Sequence, residues 1–329
     1  MIKTYIYKSW WQIIRWPNLL IIALTLCCMR FFILYPVLRV NEMDLQLKPL
    51  FFALLVMSVL FIAAAGYIIN DYYDIESDVV NRSSANPKKV VSRRVVIMVY
   101  YLLNLLGISG GAVLSIYCGN MVLLMLFIIP AGLLYFYSIT YKFQVFVGSI
   151  VVSALTAVIP VMAVIFEIPL LNIRYHDILF NAGTSFRPVF LIISLFSGFG
   201  FLVSLLRELI KDAADVNGDI IAGKKTLPVV AGMNITKVVI CLLASIVIAA
   251  ILWLFVRFLV IRSDGSVEYY SLFYLFFFIL IPLLFSGATV IRAKRRDQYM
   301  LAASVIKLVM VTGILYSLVF GFLILQSAG

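Results

Sequence analysis

Two stretches of this chain carry carboxylates at the same spacing. Asp71, Asp74 and Asp78 follow Asn70 in one, and Asp212, Asp215 and Asp219 form the other, so that both read Asp-x2-Asp-x3-Asp. Steps of three and four residues place such a set on one face of a helix. Hard oxygen donors grouped in this way suit divalent cations and, through them, an anion. Arg207, Glu208 and Lys211 precede the second set by a turn, and Gly218 and Gly223 are expected to relax the backbone where the polar stretch ends. Lys88, Lys89, Lys211, Lys224 and Lys225 add charge of the kind that holds phosphate.

The elements that position these sets must cross a membrane. Hydrophobic residues make up 64% of the chain and charged residues only 12%. Mean hydropathy is +1.11. A soluble globule of this composition would expose enough apolar surface to aggregate. Apolar runs of about 20 residues, the length that spans a bilayer, recur throughout. The expected fold is all-α: a single domain over residues 1–329, with nine transmembrane helices bundled around a central cavity. The net charge of +11 does not point to nucleic acid, because the cations sit in short loops between apolar runs, as topology determinants do. Cys27, Cys28, Cys118 and Cys241 fall in or beside apolar segments without metal-ligand spacing and read as small packing residues.

Residues 1–16, with Lys3, Lys8, Arg15, Trp10, Trp11 and Trp16, read as an interfacial helix. Spans are expected at about 18–38, 49–69, 95–117, 121–138, 147–167, 188–206, 237–257, 270–291 and 299–326. Asn18 opens the first as a cap or a cavity residue, and Arg30 inside it must snorkel or face a partner. Residues 70–94 and 207–236 become polar segments, and 168–187 a longer loop whose His176 reads as solvated. Lys307 falls inside the last span. With a cytoplasmic N-terminus, the inner loops hold most of the Lys and Arg, as the positive-inside rule requires. Both aspartate sets then reach the cytoplasmic side together, in an integral protein of the cell membrane.

Six aspartates converging from two helix ends can bind two Mg2+ ions, which favour a few carboxylates plus substrate phosphate oxygens. Such a site at the mouth of an apolar bundle fits a molecule that is diphosphate at one end and hydrocarbon at the other, a polyprenyl diphosphate. A transporter or cation channel is the competing reading. It would place its polar residues near mid-span, whereas these carboxylates lie at span ends.

The motifs resemble those of the UbiA-type membrane prenyltransferases. Asn70-Asp71-x-x-Asp74-x-x-x-Asp78 with Asn81-Arg82 is similar to their first signature. The run from Arg207 through Lys211-Asp212-x-x-Asp215 to Gly218-Asp219, with Gly223 and Thr226-Leu227-Pro228, is similar to the second. Tyr137, Ser138 and Lys142 resemble a small motif between them, and Arg15 with Asn18 an N-terminal one. The chain departs from the pattern in following Arg82 with Ser83, its proline standing at Pro87.

The resemblance implies a nine-helix bundle whose cavity opens toward lipid. Asp71, Asp74, Asp78, Asp212, Asp215 and Asp219 would hold Mg2+, with Asp71, Asp74, Asp212 and Asp215 central to catalysis. Asn18, Asn70, Asn81, Arg82, Lys88, Tyr137, Lys142, Arg207 and Lys211 would contact the diphosphate or substrate. The second motif is most similar to the branch that makes digeranylgeranylglyceryl phosphate. That implies a prenyl diphosphate donor, a lipid-soluble acceptor and membrane lipids as partners, with neither nucleic acid nor a protein partner. An aromatic acceptor, as in quinone synthesis, is the alternative within the class.

Overall fold

The computed structural model describes residues 5–6, 10–74, 91–182, 185–258 and 268–326. Asp78, Asn81, Arg82, Lys88 and Lys89 therefore lie outside the described residues. Among those described, nine helices are long and apolar enough to cross a membrane: Trp16–Val40, Pro49–Tyr73, Arg93–Tyr117, Met121–Ile139, Val147–Arg174, Arg187–Ile221, Leu227–Arg257, Tyr269–Arg292 and Arg296–Gln326. They are called the first to ninth spans. The expected all-α bundle is borne out. Because lipid offers the backbone no hydrogen bonds, helices that pair their own amides are the natural solution. Large apolar side chains such as Leu50, Met98, Leu105 and Trp253 point outward, where the bilayer takes the place of a core.

The bundle has two apolar centres. One gathers the first five spans and the start of the sixth, around Leu26, Ile33, Leu55, Leu114, Phe127, Phe166 and Ile193. The other joins the sixth, seventh, eighth and ninth around Leu206, Ile210, Val247, Leu283 and Ile306. The second span packs on the third and fourth, the sixth on the fifth, seventh and ninth, and the ninth also on the first. Close approach between the second and third depends on Gly107, where a Cβ would stand 3.0 Å from the Ser58 carbonyl oxygen and 2.6 Å from Ile62.

Several sequence expectations change. Residues 1–16 are not one helix: Tyr5–Ile6 pairs antiparallel with Val91–Ser92, a five-residue helix covers Trp10–Ile14, and Trp16 already belongs to the first span. Polar segment 207–236 is helical except at 222–226 and at Gly232, whose φ of 83° puts a kink near the start of the seventh span. Its three-and-four spacing lets the sixth span continue to Ile221, and Gly223 ends the run with φ near +69°. Gly218, by contrast, stays inside the helix. The loop expected at 168–187 contains two helical pieces, Ile168–Arg174 and His176–Ala182. His176 is exposed there, 3.3 Å from Asp177.

Arg30 does not snorkel. It is 3% exposed, 3.6 Å from the fully buried Glu167, with its Nη2 donating to the Leu47 carbonyl. Phe52 covers the guanidinium at 4.3 Å from its ring centroid. A π-helical turn over Met29–Leu34 accommodates this arrangement.

Candidate active site

The second span ends at Tyr73, with Asp74 as its C-terminal cap. Asp71 and Asp74 are therefore held by the last turn of a rigid helix. On the sixth span, Arg207, Glu208, Lys211, Asp212, Asp215 and Asp219 extend over three further turns of one helix. Both helix ends face one cavity of about 740 Å3, which Asp71, Asp74, Asp212, Asp215 and Asp219 all line. Asn18, Asn70, Tyr137, Arg207 and Lys211 line it too. Its deeper wall is apolar, with Ile21, Val59, Phe127, Leu134, Leu155 and Phe196.

Each carboxylate has a partner. Asp71, 2% exposed, accepts from Arg15 Nη2 at 3.0 Å. Asp74 Oδ1 meets Lys142 Nζ at 3.0 Å and Lys224 Nζ at 3.2 Å. Lys224 also reaches Asp219 at 3.5 Å, and so links the two aspartate sets. Thr226 donates to Asp219 at 3.2 Å, Ser149 to Asp212 at 3.2 Å and Arg296 to Asp215 at 2.9 Å. Glu208 takes Arg207 at 2.9 Å and Lys211 at 3.0 Å.

Burial alone would push the Asp74 carboxyl up, but the Lys142 and Lys224 ammonium groups outweigh it and hold it below the usual range. For Lys224 the carboxylates of Asp74 and Asp219 likewise overcome burial and raise the ammonium. Lys142 is lowered, because burial outweighs its one strong carboxylate partner.

Among the described residues, no three carboxylates are grouped closely enough to form a metal cage by themselves. The donor set still fits a hard divalent ion. Its ligating atoms are oxygens, and Mg2+ takes only one or two carboxylates when phosphates complete its shell. The Oδ1 atom of Asn70 is buried on the cavity wall without a hydrogen-bond partner among the described residues. It is an oxygen donor in search of a cation or a proton. Arg15, Lys142, Lys224 and Arg296 neutralise the carboxylates that a metal would otherwise neutralise.

The structure revises several placements. Asn18 is no cap: it lies inside the first span's opening turn, and its Oδ1 accepts from Lys307 Nζ at 2.7 Å within the cavity. Lys142 is turned onto Asp74 rather than left free for a phosphate. Ser149, Arg296 and Tyr67 were missed, since nothing in their local sequence marks them. In the sequence Glu208 stands only as a neighbour of the second set, yet it anchors both Arg207 and Lys211.

A helical bundle that spans the membrane and draws acidic and basic side chains from two helix ends to one apolar-walled cavity defines an integral, multi-pass membrane protein with a chamber between its helices. The model of the UbiA prenyltransferase family matches residues 42–309, and the chain belongs to that family. It is a prenyl-transferring enzyme. It is 30% identical over 253 residues to the digeranylgeranylglyceryl phosphate synthase of Thermococcus kodakarensis, covering 74% of this chain and 76% of that one. With the synthase of the same description from Saccharolobus solfataricus it shares 27% identity, over 94% of this chain and 95% of the relative. The fold resembles that of a UbiA homologue from Archaeoglobus fulgidus bound to DMAPP and Mg2+, with a TM-score of 0.55, 13% identity and coverage of 97% and 99% of the two chains.

Proposed function

We propose that this enzyme transfers a geranylgeranyl group from its diphosphate to geranylgeranylglyceryl phosphate, releasing diphosphate. The observation that carries the reading is the cavity: charged at the mouth with both aspartate sets, apolar along its depth. The likeness to digeranylgeranylglyceryl phosphate synthases supports the choice of acceptor.

Asp71, Asp74, Asp212, Asp215 and Asp219, with Asn70, would hold two Mg2+ ions, and Asp78 is proposed to join them. When bound, Mg2+ supplies Lewis acidity to the oxygens of the leaving diphosphate. Lys211 and Lys224 contribute fixed positive charge where negative charge grows as the C1–O bond breaks. The allylic cation left behind would lie against the apolar wall, which keeps water from capturing it. The acceptor hydroxyl then attacks C1, and its proton leaves with the released diphosphate or solvent. A transition state of this kind asks little of a protein base. Tyr137 bounds the chamber beside the carboxylates. Roles in holding the diphosphate for Asn81, Arg82 and Lys88 extend the same proposal. The positive-inside pattern supports a cytoplasmic N-terminus and mouth in the cell membrane.

The test is purified protein with Mg2+ and labelled geranylgeranyl diphosphate, offered geranylgeranylglyceryl phosphate or 4-hydroxybenzoate. Product with the glycerol phosphate alone, lost in EDTA, is expected. Product with the aromatic acid alone would refute the acceptor and move the enzyme to the quinone-type branch.

A further inference from the structure

One cluster of charge in the cavity is not used by the aspartate sets. Lys307 lies in the ninth span, 11 residues inward of Arg296, which is about 16 Å along a helix axis. Its Nζ meets Asn18 Oδ1 at 2.7 Å, and among the described residues it forms no ion pair. A second cation, Arg207, lines the same cavity. Arg207 has its own vacancy: one nitrogen serves Glu208, while the buried Nε has no partner among the described residues. Tyr67 lines the same wall. Glu208, the carboxylate beside Arg207, already serves both Arg207 and Lys211.

The patch thus holds surplus positive charge in a place where unpaired charge is costly. A lysine inside a span stays there only with a partner or a function. Asn18 is a neutral acceptor and cannot cancel its charge. An anion of the substrate can.

The register of the patch also matters. Asn18 is one turn beyond Arg15, which holds Asp71, and Arg207 is just over one turn before Asp212. The patch therefore sits about 6 Å inward of the carboxylates that face the diphosphate. In a phosphoglycerol lipid, the free hydroxyl and the phosphate are only a few covalent bonds apart. When that hydroxyl is within reach of C1, its phosphate must lie about this near to the donor site.

We propose that Lys307, Asn18 and Arg207 form the subsite for the acceptor's phosphate monoester, distinct from the diphosphate site, and so select an anionic acceptor. The inference rests on the prenyl-transfer reading above and adds the residues that recognise the second substrate. Lys307 is a specificity residue: it touches the acceptor headgroup and leaves the chemistry at C1 to others.

Lys307→Met keeps the side-chain volume and removes the charge. Lys307→Arg restores it. Steady-state kinetics would be measured against geranylgeranyl diphosphate and against the phosphorylated acceptor separately. Lys307→Met should raise KM for the phosphorylated acceptor about 10- to 100-fold, the range for a lost charged hydrogen bond. KM for the diphosphate should stay within about twofold, and Lys307→Arg should recover most of the loss. An equal rise in both KM values would assign Lys307 to the donor and overturn the proposal. No change in either would leave only a staple between the first and ninth spans, and overturn it as well.

Direct binding separates this inference from the proposed function. Thermal stabilisation of the detergent-solubilised protein would be recorded with a monoalkylglycerol phosphate, which carries the acceptor's free hydroxyl, with the same lipid lacking phosphate, and with inorganic phosphate. The wild-type protein should respond to the lipid phosphate alone, and Lys307→Met to none. A wild-type response to both lipids equally, or to inorganic phosphate as strongly, would refute a lipid-phosphate subsite even if transfer occurs. A phosphate-dependent response without transfer to that lipid would sustain the subsite and refute the acceptor assigned above.

Discussion

Lys224 is the cation that ties the two aspartate sets together, and replacing it with methionine separates packing from charge. Its Nζ lies 3.2 Å from Asp74 and 3.5 Å from Asp219, and its side chain is 14% exposed. Breaking a buried ion pair by removing one partner costs about 3–5 kcal/mol. Here both carboxylates keep other partners, Lys142 on Asp74 and Thr226 on Asp219. The loss should therefore fall to about 1–3 kcal/mol, a decrease of several degrees in melting temperature. The assay is thermal unfolding in detergent, with EDTA and then with Mg2+ and a prenyl diphosphate. Divalent ions should take over the neutralising role, so the deficit of Lys224→Met should shrink when both are added.

The pH dependence in EDTA has a definite sign. The Lys224 ammonium is raised by the carboxylates, so its stabilisation is present through neutral pH and lost only in alkali, above the ordinary lysine range. Asp74 is lowered, so its contribution is lost only in acid, as pH falls through its depressed value. Two results would refute the reasoning. An unchanged melting temperature in EDTA would mean that Lys224 does not bridge the sets. A deficit that Mg2+ and diphosphate leave untouched would mean that its role is packing rather than charge.

Three further outcomes are expected. Asp212→Ala should reduce transfer by at least about 100-fold while the protein stays folded, because Asp212's partner here is the neutral Ser149; full activity would remove the second set from the site. Glu167→Ala strands Arg30 and the amides of Gln46 and Leu47, and should destabilise the protein by about 3–5 kcal/mol. Denaturation in detergent would measure that loss, and pairing Glu167→Ala with Arg30→Met should recover part of it. His176→Ala should leave activity and melting temperature unchanged, since its side chain is 75% exposed.

Nine spans were legible in the sequence because hydropathy acts over whole helices, and a run of some 20 apolar residues has few alternatives in a bilayer. The matching aspartate spacing was legible for a related reason: residues three and four apart share a helix face wherever the helix goes. Knowing that both sets fall on one side required only the parity of the span count. The boundaries were harder. The sixth span runs on to Ile221 because helix geometry does not stop at the hydrocarbon edge, and polar residues continue it until Gly223.

What the sequence by itself determined is the class of chemistry, through local periodicity and apolar length: hard oxygen donors at the end of greasy helices. Tertiary structure alone decided which cation meets which carboxylate. Arg15 and Asp71 are 56 residues apart, Arg296 and Asp215 are 81, and Lys307 and Asn18 are 289. No local rule pairs residues so distant. Their meeting follows from how the first, second, sixth and ninth spans pack, which is settled by the shapes of side chains across the bundle. The same holds for Arg30 and Glu167, two buried charges whose presence in apolar runs makes physical sense only once the first and fifth spans are seen together.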